Sequence, residues 1–224
     1  MNSSTETKEH VRNLLTPKRI GSLLPILESS KMACDSFFAR NSDFFDTSQY
    51  FNNIKGDILT YSLSRSLRKS FEQGRLKFGL RDEKITPFGY TVPVLFVEDI
   101  SLSFIRANKR FSLGPSEKKY LQKKSQGNRQ LYSQLELFEQ ILYKDSHLHG
   151  TILYGIGDQE TVAFADILFW DESLKYYYWH INLKKELVVY EANMTEDEES
   201  EALVNANDIV NSFEKAFCHN EEAK

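Results

Sequence analysis

Between Tyr50 and Glu72 large apolar side chains return at every fourth position, Leu59, Leu63, Leu67 and Phe71, which on an α-helix draws one stripe down one face. The stretch LTYSLSRSL inside it also alternates with period two, but the longer fourfold run reads as helix. Arg65, Arg68 and Lys69 fall on a different face, so the helix carries a basic side. Upstream, Thr16-Pro17 marks a helix start, because proline at the first helical position sacrifices no hydrogen bond. Pro25 is expected to bend or end that helix early. Residues 1–73 therefore read as mainly helical.

The texture changes after Gly74. RLKFGLRD, YTVPVLFVED and SLSFIRA are rich in β-branched and aromatic residues and broken by Gly and Pro, which places strands within 74–107. The polar run NKRFSLGPSEKKYLQKKSQGN, Asn108 to Asn128, is either a short helix between loops or a basic loop. Leu131, Leu135, Phe138 and Leu142 then predict a helix over 129–143. GTILYGIG, TVAFADILFW, KYYYWHINL and ELVVYEA follow as strands of an antiparallel meander within 150–192. Thr195 with Glu198 three residues on forms a capping box, and Leu203, Ala206, Val210, Phe213 and Phe217 extend a helix over 196–217. With no internal repeat or linker, the expected architecture is one α+β domain over 1–224: an antiparallel sheet packed by helices on one face, with an N-terminal helical segment.

The alternation in DILFWDESLKYYYWH, Asp166 to His180, fixes expected partners. A turn of three or five residues centred on Ser173 sets Asp166 opposite His180, Leu168 opposite Tyr178 and Trp170 opposite Tyr176. Ala163, Ala165, Ile167 and Phe169 then share the core face with Tyr177, Trp179, Ile181 and Leu183. Asp166 and His180 form a candidate general base with its orienting carboxylate, or two metal ligands whose third comes from His147 or His149, since i and i+2 histidines share a strand face. The competing expectation is a structural cross-strand pair. Glu172 and Lys175, three residues apart, would point to opposite faces of a strand and lie in the turn, which excludes a nuclease motif built on them. GIGDQE lacks the following helix that a phosphate loop needs and reads as a hairpin turn. GxGxxG, GxSxG, HExxH and CxxC are absent.

Composition narrows the classes further. The 224 residues are 41% hydrophobic and 27% charged, as in a globular protein able to bury a core without a disulfide or metal. No run approaches the roughly 20 apolar residues of a membrane span. The two cysteines, Cys34 and Cys218, have no metal-ligand spacing and fit a reducing compartment, so a cytoplasmic location without membrane association is expected. The net charge of −4 conceals a strong asymmetry. Residues 1–54 hold 6 Lys+Arg against 6 Asp+Glu, residues 55–129 hold 16 against 7, and residues 130–224 hold 6 against 19. A basic middle of this kind fits nucleic acid or another anionic partner, with Arg65, Arg68, Lys69, Lys118, Lys119, Lys123 and Lys124 as phosphate contacts. The sequence thus reads as a non-catalytic binding or regulatory protein requiring no cofactor. The alternatives are a hydrolase or nuclease-like enzyme centred on Asp166 and His180, and a protein-interaction module without nucleic-acid binding.

Overall fold

The computed structural model describes residues 3–42, 51–84, 91–132, 147–157 and 161–191. The first helices are α1 (Ser3–Leu14), α2 (Pro17–Ile20), α3 (Leu23–Arg40) and α4 (Phe51–Glu72). Strands β1 (Gly79–Lys84), β2 (Thr91–Val97) and β3 (Ile100–Arg106) follow, then α5 (Pro115–Lys124) and a 3-10 helix (Ser125–Leu131). The chain continues with β4 (Leu148–Ile156), β5 (Val162–Trp170), β6 (Tyr177–Asn182) and α6 (Leu183–Glu191). The six strands form one sheet in chain order, antiparallel throughout except for the parallel pair β3 and β4 at its centre. The expected α+β fold, with a mostly antiparallel sheet and an N-terminal helical segment, is the one observed. No helix among the described residues is long and apolar enough to cross a membrane.

The fourfold stripe of α4 buries Leu59, Leu63 and Leu67, while Phe71 at its end stays 47% exposed. Pro25 does not end its helix. It is the third residue of α3, where the backbone N–H has no partner inside the helix, so α3 loses no bond and runs on to Arg40. The break falls earlier, at Gly21 and Ser22, between α2 and α3. ELVVYE, the described part of ELVVYEA, is not a fourth meander strand but part of α6. Its cap decides: the Asn182 side-chain oxygen accepts the Lys185 backbone N–H at 3.0 Å, and Leu183 and Leu187, one turn apart, pack on the core. The helix expected over 129–143 begins as the end of a 3-10 helix at Leu131 and gives way to extended backbone at Tyr132. Its remainder, the helix over 196–217 and Cys218 lie outside the described residues.

Helices pack on both faces of the sheet, not on one. One face meets α1 to α4 and α6 in a large apolar cluster that takes Leu102 and Phe104 from β3, Ile152 from β4 and Ala165, Ile167 and Phe169 from β5. The other face is covered by α5 and the loop before it in a smaller cluster of Ile105, Ala107, Leu113, Leu121, Leu153, Leu168, Trp170 and Leu174. β4 and β5 are accordingly buried along most of their length, as strands covered on both sides must be.

Candidate functional site

The β5–β6 hairpin brings Asp166 and His180 together by a route the alternation did not foresee. Asp166 lies opposite Asn182, and His180 lies opposite Leu168, a displacement of two residues from the expected register. Two local events produce it. Asp171 and Tyr176 close a four-residue loop, with the Asp171 N–H donating to the Tyr176 carbonyl at 3.0 Å. The Asp171 carboxylate also accepts the Lys175 and Tyr176 N–H groups, both at 3.0 Å, and Leu174 turns at φ 55°. A bulge then leaves Tyr178 without an opposite residue, because Phe169 pairs with Trp179 and Trp170 with Tyr177. Two one-residue offsets restore the parity of the faces, so His180 remains on the face of Asp166 and its Nε2 reaches Oδ1 at 3.1 Å. The bulge also exchanges the two tyrosines before it. Tyr177 packs beside Trp170, His180 and Phe111 on the Asp166 face, whereas Tyr178 packs on the helical side and donates its hydroxyl to Glu172 at 2.9 Å. Glu172 also pairs with Arg129, so the turn carboxylate ties the hairpin to the 3-10 helix.

Asp166 is fully buried, and four donor atoms converge on it. Arg110 grips it with two parallel bonds of 2.7 Å, Nε to Oδ2 and a terminal nitrogen to Oδ1, while His180 and Asn182 (3.2 Å) also donate to Oδ1. Such a fork-on-carboxylate geometry is the strong form of ion pair. It anchors the loop between β3 and α5, in which Phe111 adopts φ 60°, a left-handed conformation costly for a residue with a side chain. Arg110 lies 4.8 Å from the Phe111 ring centroid, and Phe111 meets His180 edge-on. Nothing in the sequence joins Arg110 to Asp166, 56 residues apart.

A second polar group occupies the same face of the sheet. Glu83 of β1 accepts Arg81, the Tyr120 hydroxyl at 3.0 Å and Lys124. Burial works to raise its pKa, but the hydrogen bonds from Lys124 and Arg81 outweigh it and hold that pKa at about 2. Burial, then the Glu83 charge, pushes the Tyr120 phenol well above its usual value. Deeper in, His149 is 1% exposed, and burial, followed by the Lys124 charge, lowers it to about 3, so the ring is neutral. Ser101 Oγ lies 2.7 Å from its Nδ1 and Ser103 Oγ 3.1 Å from its Nε2. Asn128 brackets the strand end, accepting the His149 N–H at 2.9 Å and donating to the carbonyls of His149 and Trp170. The alternation of Ser101 and Ser103 with Ile100, Leu102 and Phe104 was the sequence signal for a polar row in this layer.

The two histidines offered as a third metal ligand part company. Both ring nitrogens of His149 meet serine hydroxyls, whereas His147 lies exposed just before β4. Among the described residues, the group with three ligand atoms within 4.8 Å of one another is His10, Glu98 and Asp99, where His10 Nε2 already pairs with Asp99 at 2.9 Å. The basic candidates divide in the same manner. Arg68 pairs with Asp82 on the helical side of β1, and Arg65 and Lys69 are half-buried on the same helix. On α5, Lys124 turns inward to Glu83, while Lys118, Lys119 and Lys123 are exposed. The two sets therefore sit on opposite faces of the sheet. Comparison of the chain with models of protein families, with curated proteins and with solved structures finds no match.

Proposed function

We propose that the protein is a non-catalytic binding protein that takes a nucleic acid backbone on the outer side of α5. The observation carrying this reading is the division of α5 into two sides. Leu121, Tyr120 and Lys124 seat the helix on the sheet, which leaves Lys118, Lys119 and Lys123 in solvent, with Lys109 exposed in the preceding loop. Lysines at this spacing contact phosphates as point charges and supply affinity without reading bases. An enzyme centred on Asp166 and His180 has less support, since the oxygens of Asp166 are engaged by four donor atoms and the carboxylate is buried.

Fluorescence anisotropy titrations with duplex DNA and with RNA over a range of salt concentrations test the reading. Each neutralised phosphate contributes about −0.9 to the slope of log affinity against log salt for duplex DNA. Replacing Lys118, Lys119 and Lys123 by Gln should therefore weaken duplex binding and flatten that slope by roughly 2 to 3. Replacing Arg65, Arg68 and Lys69 should change it less. Absence of binding by the unmodified protein, or an unchanged slope in the α5 variant, overturns the proposal.

A further inference from the structure

Two irregularities of the chain converge on one spot of the surface. In the loop before α5, Phe111 holds φ 60°, which costs a residue with a side chain, and its ring nonetheless stays 37% exposed. In the β5–β6 hairpin, the bulge at Tyr178 turns Tyr177 away from the large core, where unbroken alternation would have sent it, and leaves it 41% exposed. The two rings meet at 5.4 Å between centroids, with their planes 33° apart. Buried Trp170 abuts Tyr177 edge-on, His180 abuts Phe111 in the same way, and the fork of Arg110 on Asp166 fixes the loop. The pair is held in place without being buried.

The exposed charges next to the pair in the chain are cationic. Lys109 shares the turn of Phe111, which the Ser112 N–H closes on the Lys109 carbonyl at 3.3 Å, and Lys175 lies exposed two residues before Tyr177. The two carboxylates of the hairpin turn are engaged: Asp171 accepts the N–H groups of Lys175 and Tyr176, and Glu172 accepts Tyr178 and Arg129. The loop of Phe111 runs directly into α5, whose outer side carries Lys118, Lys119 and Lys123.

We propose that Phe111 and Tyr177 are a stacking platform for the bases of a single-stranded nucleic acid, whose phosphates lie on Lys109, Lys175 and the lysines of α5. This rests on the nucleic-acid reading above and narrows it to an unpaired strand. In a duplex each base is covered on both faces by its neighbours, so only an unpaired strand can turn a base onto a side-chain ring. Lysines beside exposed rings favour this occupant over an apolar protein surface, which would strip water from their charges and put nothing in its place.

Fluorescence anisotropy with thymidine and uridine oligomers of about 16 nucleotides, each against a duplex of the same length, tests the platform. The unmodified protein should bind the single strands tighter than the duplex by about tenfold or more. Phe111→Asn, chosen because asparagine tolerates left-handed backbone, and Tyr177→Thr should each remove most of that margin and leave duplex affinity as it was. Phe111→Tyr and Tyr177→Phe keep a ring and should preserve it. Replacing Lys118, Lys119 and Lys123 by Gln should instead lower affinity for both forms. Equal affinity for the two forms, or ring variants that bind single strands as the unmodified protein does, overturns the platform and leaves the α5 reading standing where duplex binding follows the lysines. Single-strand binding that follows the rings but not the lysines overturns the α5 reading, and absence of any binding overturns both. Self-association in sedimentation that Phe111→Asn abolishes would assign the rings to a second copy of the chain and overturns the proposal equally. Should Phe111→Asn fail to fold, Tyr177→Thr reads the same pair from the hairpin.

Discussion

On the face towards α1 to α4, the sheet presents Leu102, Phe104, Ile152, Ile167 and Phe169 to a wide apolar cluster. On the face towards α5 it presents Ser101, Ser103, His149 and Asp166 amid a cluster of eight buried apolar residues. The first face is held by area removed from water, a force without direction that tolerates small displacements of the packed groups. The second is held by bonds with required angles and required proton positions, each of which fails if its partner moves by about an ångström. The apolar face supplies most of the stability, and the polar face decides where one loop and one short helix must lie.

Four measurements can break or sharpen this contrast. On the apolar face, Phe169→Ala should cost about 3 to 5 kcal/mol in urea unfolding, whereas Phe169→Leu, which loses less volume, should cost clearly less. On the polar face, Asp166→Ala leaves Arg110, His180 and Asn182 without their acceptor and should cost about 1 to 3 kcal/mol. Arg110→Ala should fall at the lower end of that range, because its side chain is 42% exposed and water replaces part of the lost pairing. The Asp166→Ala, Arg110→Ala double variant should lose less than the two singles together, and strict additivity would show that the fork does not hold the loop.

The third effect follows from acid. Glu83 has a folded pKa of about 2 against an ordinary 4.5, so its contribution is present above pH 4.5 and is lost as pH falls towards 2. Stability measured over that window should decline, and Glu83→Gln should decline less steeply. The smallest effect belongs to the outer side of α5. Replacing Lys118, Lys119 and Lys123 by Gln should change stability by no more than about 0.5 kcal/mol, since none of them anchors the helix. A large loss there would mean that the lysines belong to the fold and not to a partner.

What could be read from the sequence follows the same division. Apolar periodicity found α4 and the strands, because a buried stripe must repeat with the geometry of its element. It placed Asp166 and His180 on one face correctly, since faces depend only on parity. It did not find their true register, which rests on the Asp171 side chain organising a turn and on the bulge at Tyr178. Val188 and Val189 drew α6 towards a strand assignment, against which the Asn182 cap and the burial of Leu183 prevailed. The partners of the polar face were beyond reach for a different reason. Arg110 to Asp166, Tyr120 to Glu83 and Ser103 to His149 are contacts between distant segments, and a single chain of letters carries no period that links them.

The parallel seam between β3 and β4 bears on how the chain assembles. β1–β3 and β4–β6 are each built from antiparallel neighbours, closed locally at Glu98 and Asp99, between Gly157 and Thr161, and from Asp171 to Tyr176. Pairing Ile100 with Leu148 and Phe104 with Ile152, by contrast, requires residues 107–147 to be drawn round from one end of β3 to the start of β4. The entropy of closing that loop is met before the central contacts return anything, so the two halves take shape early and the seam forms late. Until it forms, β3 and β4 each expose an unpaired strand edge, and the newly made chain is most open to pairing with a second copy of itself along the line that later becomes the centre of its own sheet.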